Sequence, residues 1–515
     1  MPFCITTAID YVNGRPHLGH AYEKVLTDVL ARYQRARGEE VFFLTGVDEH
    51  GIKVQQSAAK QGRSPQEFCD EMAGHFRALY DRLDISYDDF VRTTEPRHKK
   101  VVQDILQKLF DSGQIYTGEY AGYYSARQEQ FLTEKDRVNG TFPESFGEVI
   151  QLREPVYFFR LSQYQDWLRD FIQAHPDWIF PAFRTNEVLG ALEKPIPDLC
   201  ISRPSSRLSW GIPLPFDPDQ VTYVWFDALL NYISVLEPGS PRFEKFWPAV
   251  HVIGKDILVP PHAIYWPIML KAAGLPLPRR LIVHGWWTQN AEKMSKSVGN
   301  VVDPLSLIET YGVDPFRYFV MREMALGQDA DFSLQQFHAR YQSELGNEVG
   351  NLLNRAVSMI RRYRAGIVPA RDSGARTAND QDLEQVVLTS IRAFRQNMDN
   401  LQIHLALAEL WRGFQRTNQF VEESAPWKLA KDPASAPRLD YVLAQMAMST
   451  WLLFRELQPV LPTSASRAAA QLGTPLTTPT VPDLTWPEAL AGTAVGEASI
   501  LFPRIDPPIA APSDS

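Results

Sequence analysis

Two histidines near the start of the chain have a spacing that suits phosphate chemistry. They occur as His17-Leu18-Gly19-His20, at the predicted start of the first helix. Residues three apart share one helix face, so both imidazoles would lie beside unpaired backbone N–H groups and the positive end of the helix dipole. Gly19 leaves room for a base or phosphate to approach closely. The pattern favours binding of a polyphosphate and stabilisation of charge at an α-phosphate. The alternative is a pair of surface histidines that only cap the helix.

A cationic segment follows much later in the chain. It reads Lys293-Met294-Ser295-Lys296-Ser297 and continues as Val298-Gly299-Asn300. Two lysines three residues apart, among small hydroxyl residues and glycine, predict a loop that closes over a triphosphate. Taken alone, the pattern also fits a solvated basic turn.

The elements around the histidines predict a parallel sheet. A β-rich run covers residues 3–9, a turn-forming segment follows it, and apolar residues then recur at helical spacing from Leu18 to Tyr33. Gly38 stands where a helix would end. Residues 41–44 predict a second strand and residues 45–51 a polar turn. Strand–helix–strand in this order predicts a parallel βαβ unit with ligands at the carboxyl ends of its strands.

The remaining sequence predicts an insertion and a helical bundle. Residues 116–183 contain short aromatic-rich strands and predict a small β-rich insertion, after which the α/β pattern resumes. Asp303 and Asp314 are predicted helix N-caps, each followed by proline. Long amphipathic helices are predicted at residues 341–364, 381–400, 402–423 and 438–458. The last fifty residues are rich in Pro and Thr, which predicts little regular structure.

Length and composition exclude several classes of protein. A chain of 515 residues predicts about three domains. The formal net charge of −9 argues against a generally basic nucleic-acid coat. The cysteines, Cys4, Cys69 and Cys200, offer neither a disulfide framework nor a four-thiolate metal site. The apolar stretch 257–270 is shorter than the roughly 20 residues that a spanning helix needs. A strand at the N-terminus leaves no room for a signal peptide, so we expect a cytoplasmic protein without a membrane segment.

The two motifs together resemble those of the class I aminoacyl-tRNA synthetases. Within that class the chain resembles the methionyl-tRNA synthetases over essentially its whole length. The resemblance continues through segments 45–51, 223–228, 254–257, 284–285, 350–355 and 425–431. It implies a Rossmann-type α/β catalytic domain with a small β-rich insertion, followed by an all-α bundle. The implied boundaries are 1–115 and 186–292 for the catalytic domain, 116–185 for the insertion, 293–345 for the lysine loop and stem-contact region, and 346–515 for the anticodon-binding domain and tail.

The resemblance implies a two-step reaction that uses ATP and Mg²⁺. The carboxylate of L-methionine attacks the α-phosphate of ATP, which yields methionyl-adenylate and pyrophosphate. The methionyl group then passes to the 3′-terminal adenosine of tRNA(Met), and AMP is released. His17 and His20 would contact the α- and β-phosphates, while Lys296, supported by Lys293, would hold the departing pyrophosphate with Mg²⁺. The other implied ATP-binding residues are Gly19, Gly254, Asp256, His284, Gly285, Met294, Ser295 and Ser297.

Methionine recognition is likewise implied residue by residue. Asp48 would pair with the ammonium group. The implied side-chain pocket consists of Ala8, Tyr11, Trp225, Ala228, Tyr232, Ile257 and His262. An aromatic-walled slot suits a long unbranched side chain that ends in polarisable sulfur. The alternative role for Trp225 is packing in the protein core rather than contact with methionine. Arg203 matches an arginine that lies near Asp48 in the family.

The anticodon would be read by Asn351, Arg355 and Trp427 in the bundle. Asn351 and Arg355 are four residues apart on one helix face, and an amide, a guanidinium and an indole can hydrogen-bond to and stack on unpaired bases. A polar helix pair with a packing tryptophan is the alternative. The family binds initiator and elongator tRNA(Met), and three arginines on the same helix, Arg361, Arg362 and Arg364, supply local positive charge.

The sequence departs from the family pattern in two places. Zinc-binding members carry C-x₂-C pairs in the insertion, but this chain has Ser125, Gln128, Phe142 and Ser145 there. Since none is a thiolate, we predict no structural zinc. The segment before His262 has one extra residue and lacks an aromatic, and Asp10 replaces an apolar residue or proline. These changes bear on the shape of the methionine pocket.

Three other functions remain as alternatives at this stage. The first is a class I synthetase for another amino acid, such as cysteine; the second is a small-molecule adenylyltransferase with the same phosphate site. The third is a non-enzymatic paralogue that binds tRNA or protein. The insertion is too small for a hydrolytic editing domain, and the family's appended dimerisation domain is not seen, so we expect a monomer.

Overall fold

The computed structural model describes residues 2–125, 130–132, 137, 140–143, 149–289, 292–293, 302–476, 486 and 490–506. These residues form two compact units. The first unit comprises Met1–Pro16, Phe42–Ala78 and Tyr87–Val283, and the second comprises His17–Val41, Leu79–Ser86 and His284–Ser515.

The strands are β1 Phe3–Thr7, β2 Asp10–Tyr11, β3 Val41–Asp48, β4 Asp89–Arg92, β5 Ile115–Ser125, β6 Gln130–Leu132, β7 Val149–Phe159, β8 Ile179–Phe180, β9 Leu199–Cys200, β10 Ser202–Pro204, β11 Pro213–Leu214, β12 Asp217–Thr222, β13 Val250–Gly254, β14 Arg280–His284, β15 Trp287–Gln289, β16 Glu292–Lys293 and β17 Ala330–Asp331. The α-helices are α1 Leu18–Ala36, α2 Ile52–Lys60, α3 Pro65–Arg82, α4 Pro96–Asp111, α5 Gln165–Ala174, α6 Phe183–Ala191, α7 Val224–Leu229, α8 Asn231–Ser234, α9 Pro241–Phe246, α10 Trp266–Ala272, α11 Pro304–Tyr311, α12 Val313–Glu323, α13 Leu334–Arg340, α14 Asn351–Arg364, α15 Ala378–Asp399, α16 Ile403–Ser424, α17 Pro426–Leu429, α18 Ala436–Leu457 and α19 Pro462–Leu472.

A seven-stranded sheet carries the predicted α/β fold. Its strands follow the order β2-β3-β1-β13-β14-β8, with β4 also paired to β3. The pairs β1/β13, β2/β3, β3/β4 and β8/β14 are parallel, which confirms the predicted parallel sheet. Every residue of β13 is buried, as expected for a strand that is covered on both faces.

Strand β3 is longer than predicted. The prediction of a turn at residues 45–51 is wrong in its first half. Thr45 and Gly46 belong to β3, where they pair with Phe90 and Val91 of β4. A Cβ atom on Gly46 would lie 2.1 Å from the carbonyl oxygen of Val91, so only glycine permits this approach. The strand therefore delivers Asp48 at its carboxyl end.

The insertion contains the predicted β-rich sheet. Strands β6, β5, β7 and β9 form it in that order, and β5 pairs with β7 along eleven residues in antiparallel register. Helices α5 and α6 also occur in this part of the chain, and β8 between them belongs to the seven-stranded sheet. The domain boundaries stay a prediction.

The chain after residue 303 is mostly helical, as predicted. Asp303 caps α11 by accepting a hydrogen bond from the backbone N–H of Leu305. The prediction that Asp314 is an N-cap is wrong: α12 begins at Val313, and the buried Asp314 carboxylate accepts the N–H of Ser464 instead. The long helices α14, α15, α16 and α18 confirm the predicted bundle, and α14 is preceded by a π-helix at Tyr341–Gly350. Within the described residues, no helix is both long and apolar enough to cross a membrane.

Candidate functional site

The first unit places Tyr11 and Asp48 next to each other. They lie opposite each other in the parallel pair β2/β3, at the carboxyl end of β3 in the seven-stranded sheet. Asp48 is only 7% exposed, and it has no ion-pair partner among the residues that the structure describes. Burial, and after it the charge of Asp227, raises the pKa of the Asp48 carboxyl well above its ordinary value. Such a carboxylate is suited to a cationic ligand, which would supply the missing opposite charge.

Helices α7 and α8 carry three residues of the predicted side-chain pocket, Trp225, Ala228 and Tyr232, which are called the aromatic slot below. Trp225 is half-buried, whereas Ala228 and Tyr232 are buried at 5% and 1% exposure. The amide of Asn231 donates to the carbonyl oxygen of Ala228 at 2.7 Å, which ties the two short helices together. Trp225 is therefore not a fully buried core residue.

The segment that carries the extra residue before His262 is kinked. It covers residues Leu258–Tyr265, in which Val259 departs from helical backbone angles. His262 is buried, its Nδ1–H donates to the carbonyl oxygen of Ile257 at 2.8 Å, and its Nε2 accepts from the Tyr232 hydroxyl at 2.7 Å. The insertion thus leaves His262 in contact with the aromatic slot.

A second polar layer supports Tyr232. Its ring stacks on the imidazole of His251, with the ring centroids 4.0 Å apart. Trp266 donates its indole N–H to His251 Nε2 at 3.1 Å, so His251 Nδ1 carries the proton and donates to the Thr6 hydroxyl at 2.8 Å. Burial lowers the pKa of His251 well below its ordinary value, so this ring is neutral. The sequence offered no signal for His251 or Thr6.

The other predicted residues of the first unit lie at strand and turn positions. Ala8 follows β1, is buried, and donates its backbone N–H to the carbonyl oxygen of Val252 at 3.1 Å. Gly254 ends β13, and Asp256 lies exposed in the one-turn 3₁₀ helix after it. The Arg203 guanidinium contacts the carbonyl oxygen of Ser202 and stacks over Tyr223, rather than pairing with Asp48.

In the second unit, His17 and His20 form a reciprocal cap at the start of α1. His17 Nδ1 accepts the backbone N–H of Gly19, and His20 Nδ1 accepts the backbone N–H of His17, both at 3.1 Å. The neutral form of each ring therefore carries its proton on Nε2. A Cβ atom on Gly19 would lie 3.0 Å from His17 Cε1, so glycine leaves space for the first ring. The capping interpretation is correct, and it also sets both rings as Nε2–H donors at a helix N-terminus.

A buried ion cluster lies one turn further along α1. Glu23 accepts from Lys24 at 2.8 Å and contacts His284 Nε2 at 3.0 Å, and Lys24 is fully buried. Burial alone would raise the pKa of Glu23, but Lys24 and His284 outweigh it and lower the pKa. A Cβ atom on Gly285 would lie 2.0 Å from the carbonyl oxygen of Gln328, so the backbone there passes too closely for any side chain. The sequence pattern predicts a role for His284 and Gly285 but not for Glu23, the partner of His284.

The cationic segment is described only at its start. Lys293 belongs to β16, where it is the register partner of Thr288 in β15. Met294, Ser295, Lys296 and Ser297 lie outside the described residues.

In the helical bundle, Arg355 and Trp427 come together as predicted. The Arg355 guanidinium lies 5.8 Å from the Trp427 ring centroid, and it pairs with Glu422 at 2.7 Å. Asn351 is exposed one turn earlier on α14. The nearby positive charge is partly neutralised, because Arg364 pairs with Asp440. An exposed amide, a guanidinium and an indole thus share one region of the bundle.

The positions that carry zinc ligands in other proteins are only partly described. Phe142 packs on Tyr123, with ring centroids 5.1 Å apart, whereas Gln128 and Ser145 lie outside the described residues. Within the described part of the chain, no group of three or more His, Cys, Asp or Glu side chains could hold a metal ion. The absence of structural zinc stays a prediction.

Comparison with known protein families matches nearly the whole chain. Residues 3–149 and 145–357 match the family described as tRNA synthetases class I (M). Residues 368–507 match the anticodon binding domain of methionyl tRNA ligase.

Individual relatives extend this similarity. The methionine–tRNA ligase of Deinococcus radiodurans is 44% identical, over 98% of this chain and 75% of its own length. That of Bacillus subtilis is 42% identical, over 98% of this chain and 78% of its own. Among solved structures, Mycobacterium tuberculosis methionyl-tRNA synthetase in complex with methionyl-adenylate aligns with a TM-score of 0.88 and 38% identity, covering 98% of this chain and 100% of that one.

Proposed function

The chain belongs to the methionyl-tRNA synthetases of class I, and from that premise we propose which of its residues perform each step. Its reaction is the ATP-dependent attachment of methionine to tRNA through methionyl-adenylate, with release of pyrophosphate and AMP. A carboxylate oxygen of methionine forms a bond to the α-phosphorus while the bond to the pyrophosphate oxygen breaks. The adenylate is then consumed by the 3′-terminal hydroxyl of tRNA.

The arrangement of His17 and His20 carries the proposal for the first step. Because both Nδ1 atoms accept backbone N–H groups, each Nε2–H can donate to a phosphate oxygen. Donors that are fixed before the reaction stabilise charge on the pentavalent phosphorus without reorganising. We assign the α- and β-phosphates to these two rings. Gly19, Gly254, Asp256, His284 and Gly285 complete the proposed nucleotide contacts.

We assign the leaving group to the lysine segment. Lys296, supported by Lys293, neutralises the departing pyrophosphate, and Met294, Ser295 and Ser297 are further proposed ATP-binding residues. Mg²⁺, as part of the ATP substrate, would help to neutralise the charge of the phosphates. No covalent intermediate on the protein is required, since positioning and charge stabilisation suffice.

Methionine occupies the proposed pocket in the first unit. Its ammonium pairs with Asp48, a buried carboxylate that has no ion-pair partner in the part of the chain that the structure describes. The thioether lies among Tyr11, Trp225 and Tyr232, with Ala8, Ala228, Ile257 and His262 completing the walls. The hydrogen bond from the Tyr232 hydroxyl to His262 Nε2 fixes these two side chains relative to each other.

The anticodon of initiator and elongator tRNA(Met) is the proposed ligand of the bundle. Asn351 and Arg355 hydrogen-bond to unpaired bases, and Trp427 stacks on one of them. We further propose that the protein acts as a cytoplasmic monomer without structural zinc, with the domain boundaries given above.

Methionine-dependent ATP–pyrophosphate exchange tests these assignments. Wild-type protein should exchange with methionine alone among the twenty amino acids. His20→Ala should lower the exchange rate by about 10²- to 10³-fold, because one donor to the transition state is lost. His175→Ala, which changes an exposed histidine at the end of α5, is the control and should leave the rate unchanged. Exchange with another amino acid, or an unimpaired His20→Ala, would refute the assignment.

A further inference from the structure

Asp227 is a buried carboxylate for which neither the reaction nor the proposed pocket assigns a role. It lies in α7 between Trp225 and Ala228, and its side chain is fully buried. One carboxylate oxygen, Oδ2, accepts from His50 Nδ1 at 2.6 Å, and the other, Oδ1, accepts from His98 Nε2 at 2.7 Å. Both histidines are buried as well. Each oxygen of Asp227 therefore binds a different and distant part of the chain.

These partners belong to the segments that build the pocket. His50 lies two residues after Asp48, and the His50 backbone N–H points to the Asp48 carboxylate at 3.4 Å. His98 lies in the first turn of α4, and its Nδ1 contacts the Ser234 hydroxyl of α8 at 2.9 Å. The cluster thus joins the end of β3, the start of α4 and the helices α7 and α8.

The pKa values of Asp227 and Asp48 are shifted in opposite directions. Burial alone would raise the pKa of Asp227, but the charge and hydrogen bond of His50, and after them those of His98, outweigh burial and lower the pKa to about 2, so Asp227 is ionised. Burial, and after it the charge of Asp227, raises the pKa of Asp48 well above its ordinary value, and the backbone N–H of His50 opposes this shift without cancelling it. Pairs of carboxyl groups with diverging environments commonly have separate roles.

We propose that Asp227 is the positioning residue of the amino-acid pocket: through His50 and His98 it fixes the segment that carries Asp48 against the helices that carry the aromatic slot. This inference rests on the proposed methionine site and extends it. Asp227 itself touches no substrate, since both of its oxygens are occupied by histidines.

Replacement by asparagine separates geometry from charge. The asparagine oxygen can still accept from His50, and its NH₂ group can donate to His98 if the His98 proton moves from Nε2 to Nδ1. In that tautomer Nδ1–H must donate to the Ser234 hydroxyl, which can in turn donate to the carbonyl oxygen of Asn231. Asp227→Asn therefore keeps the connection only while Ser234 is present.

The first experiment measures the KM values for methionine and ATP, and kcat, in pyrophosphate exchange. Asp227→Ala should raise the methionine KM by about 10- to 100-fold, as expected when charged hydrogen bonds are lost, with ATP KM changed less than about threefold. Asp380→Asn is the control, because it alters a buried carboxylate that caps α15, and it should change neither KM. An unchanged methionine KM, or equal increases in both KM values, would overturn the inference.

The second experiment remains decisive if Asp227→Ala does not fold. Asp227→Asn alone and Ser234→Ala alone should each raise the methionine KM by less than about fivefold. The double variant should raise it at least about tenfold beyond the product of the single effects, because the tautomer has lost its acceptor. Strictly multiplicative effects would refute the role of His98. If wild-type protein shows no exchange with methionine, the proposed function itself fails, whereas normal wild-type exchange with unaffected variants rejects only the role of Asp227.

Discussion

The amino-acid pocket and the anticodon-binding surface use charged residues in opposite ways. In the pocket, the buried Asp227 is hydrogen-bonded to the buried His50 and His98, and Asp48 has no ion-pair partner among the described residues. On the bundle, Arg355 pairs with a Glu422 side chain that is 62% exposed, and Asn351 faces solvent. The pocket is thus shaped before its ligand arrives, whereas the side chains of the surface can be redirected at little cost.

The difference follows from the cost of desolvation. A buried charge needs a partner, and removing that partner costs about 3–5 kcal/mol. An exposed ion pair contributes only about 0–1 kcal/mol, so exchanging Glu422 for a nucleotide base loses little. We therefore expect substitutions in the pocket to have larger effects than those on the bundle.

The largest effect is expected for Asp48→Ala. Without its carboxylate the ammonium of methionine is buried unpaired, so kcat/KM for methionine in pyrophosphate exchange should fall by about 10²- to 10³-fold. Asp48→Asn should give a similar loss, because an amide cannot form the ion pair, while the KM for ATP should stay near its wild-type value. A loss of less than tenfold in both variants would mean that Asp48 does not bind the ammonium.

A smaller effect is expected on the bundle. Trp427→Ala removes a stacking platform that is worth about 1–3 kcal/mol per base, so the KM for tRNA(Met) in aminoacylation should rise about 5- to 100-fold. Methionine-dependent exchange without tRNA should be unchanged, and Trp427→Phe should restore most of the affinity because it retains an aromatic face. If Trp427→Ala also impaired exchange, the two regions would not be separable as proposed.

The smallest effect concerns stability, and here the substitution should stabilise the protein, whereas the preceding substitutions impair its activity. Because the pKa of Asp48 is raised on folding, the folded protein binds this proton more tightly than the unfolded chain does. Its contribution to the free energy of unfolding therefore falls as pH rises from the ordinary aspartate range through the raised value. Asp48→Asn should accordingly be more stable than wild type at pH 8, by roughly 1 kcal/mol or about 2–4 °C in Tm.

The same comparison at low pH provides the control. Only well below the ordinary aspartate pKa of about 3.9 do both states of the wild-type chain carry the proton, so the difference in Tm should shrink as the pH is lowered through that range. Equal Tm values at pH 8, measured by differential scanning calorimetry, would show that the Asp48 charge is not destabilising.

The motifs predicted the chemistry and the parallel sheet because their evidence is local. The spacing of His17 and His20, the helical period after Leu18 and the long amphipathic repeats are all properties of neighbouring residues. The pairing of Arg355 with Trp427 is not local in this sense. That both residues bind the anticodon was inferred from the resemblance, and the structure shows that their side chains are in contact.

Other features depended on partners that are far away in the chain. Strand β3 continues through Gly46 because Val91 lies against it, Asp314 binds Ser464 rather than capping its helix, and the segment before His262 is kinked at Val259. Asp227 shows this most clearly, since its partners His50 and His98 lie 177 and 129 residues away. The sequence by itself determined which reaction groups are present and which elements carry them. Only the tertiary structure decided which groups are buried together, and burial sets their hydrogen-bond partners and protonation because a low-dielectric interior makes every unpaired charge costly.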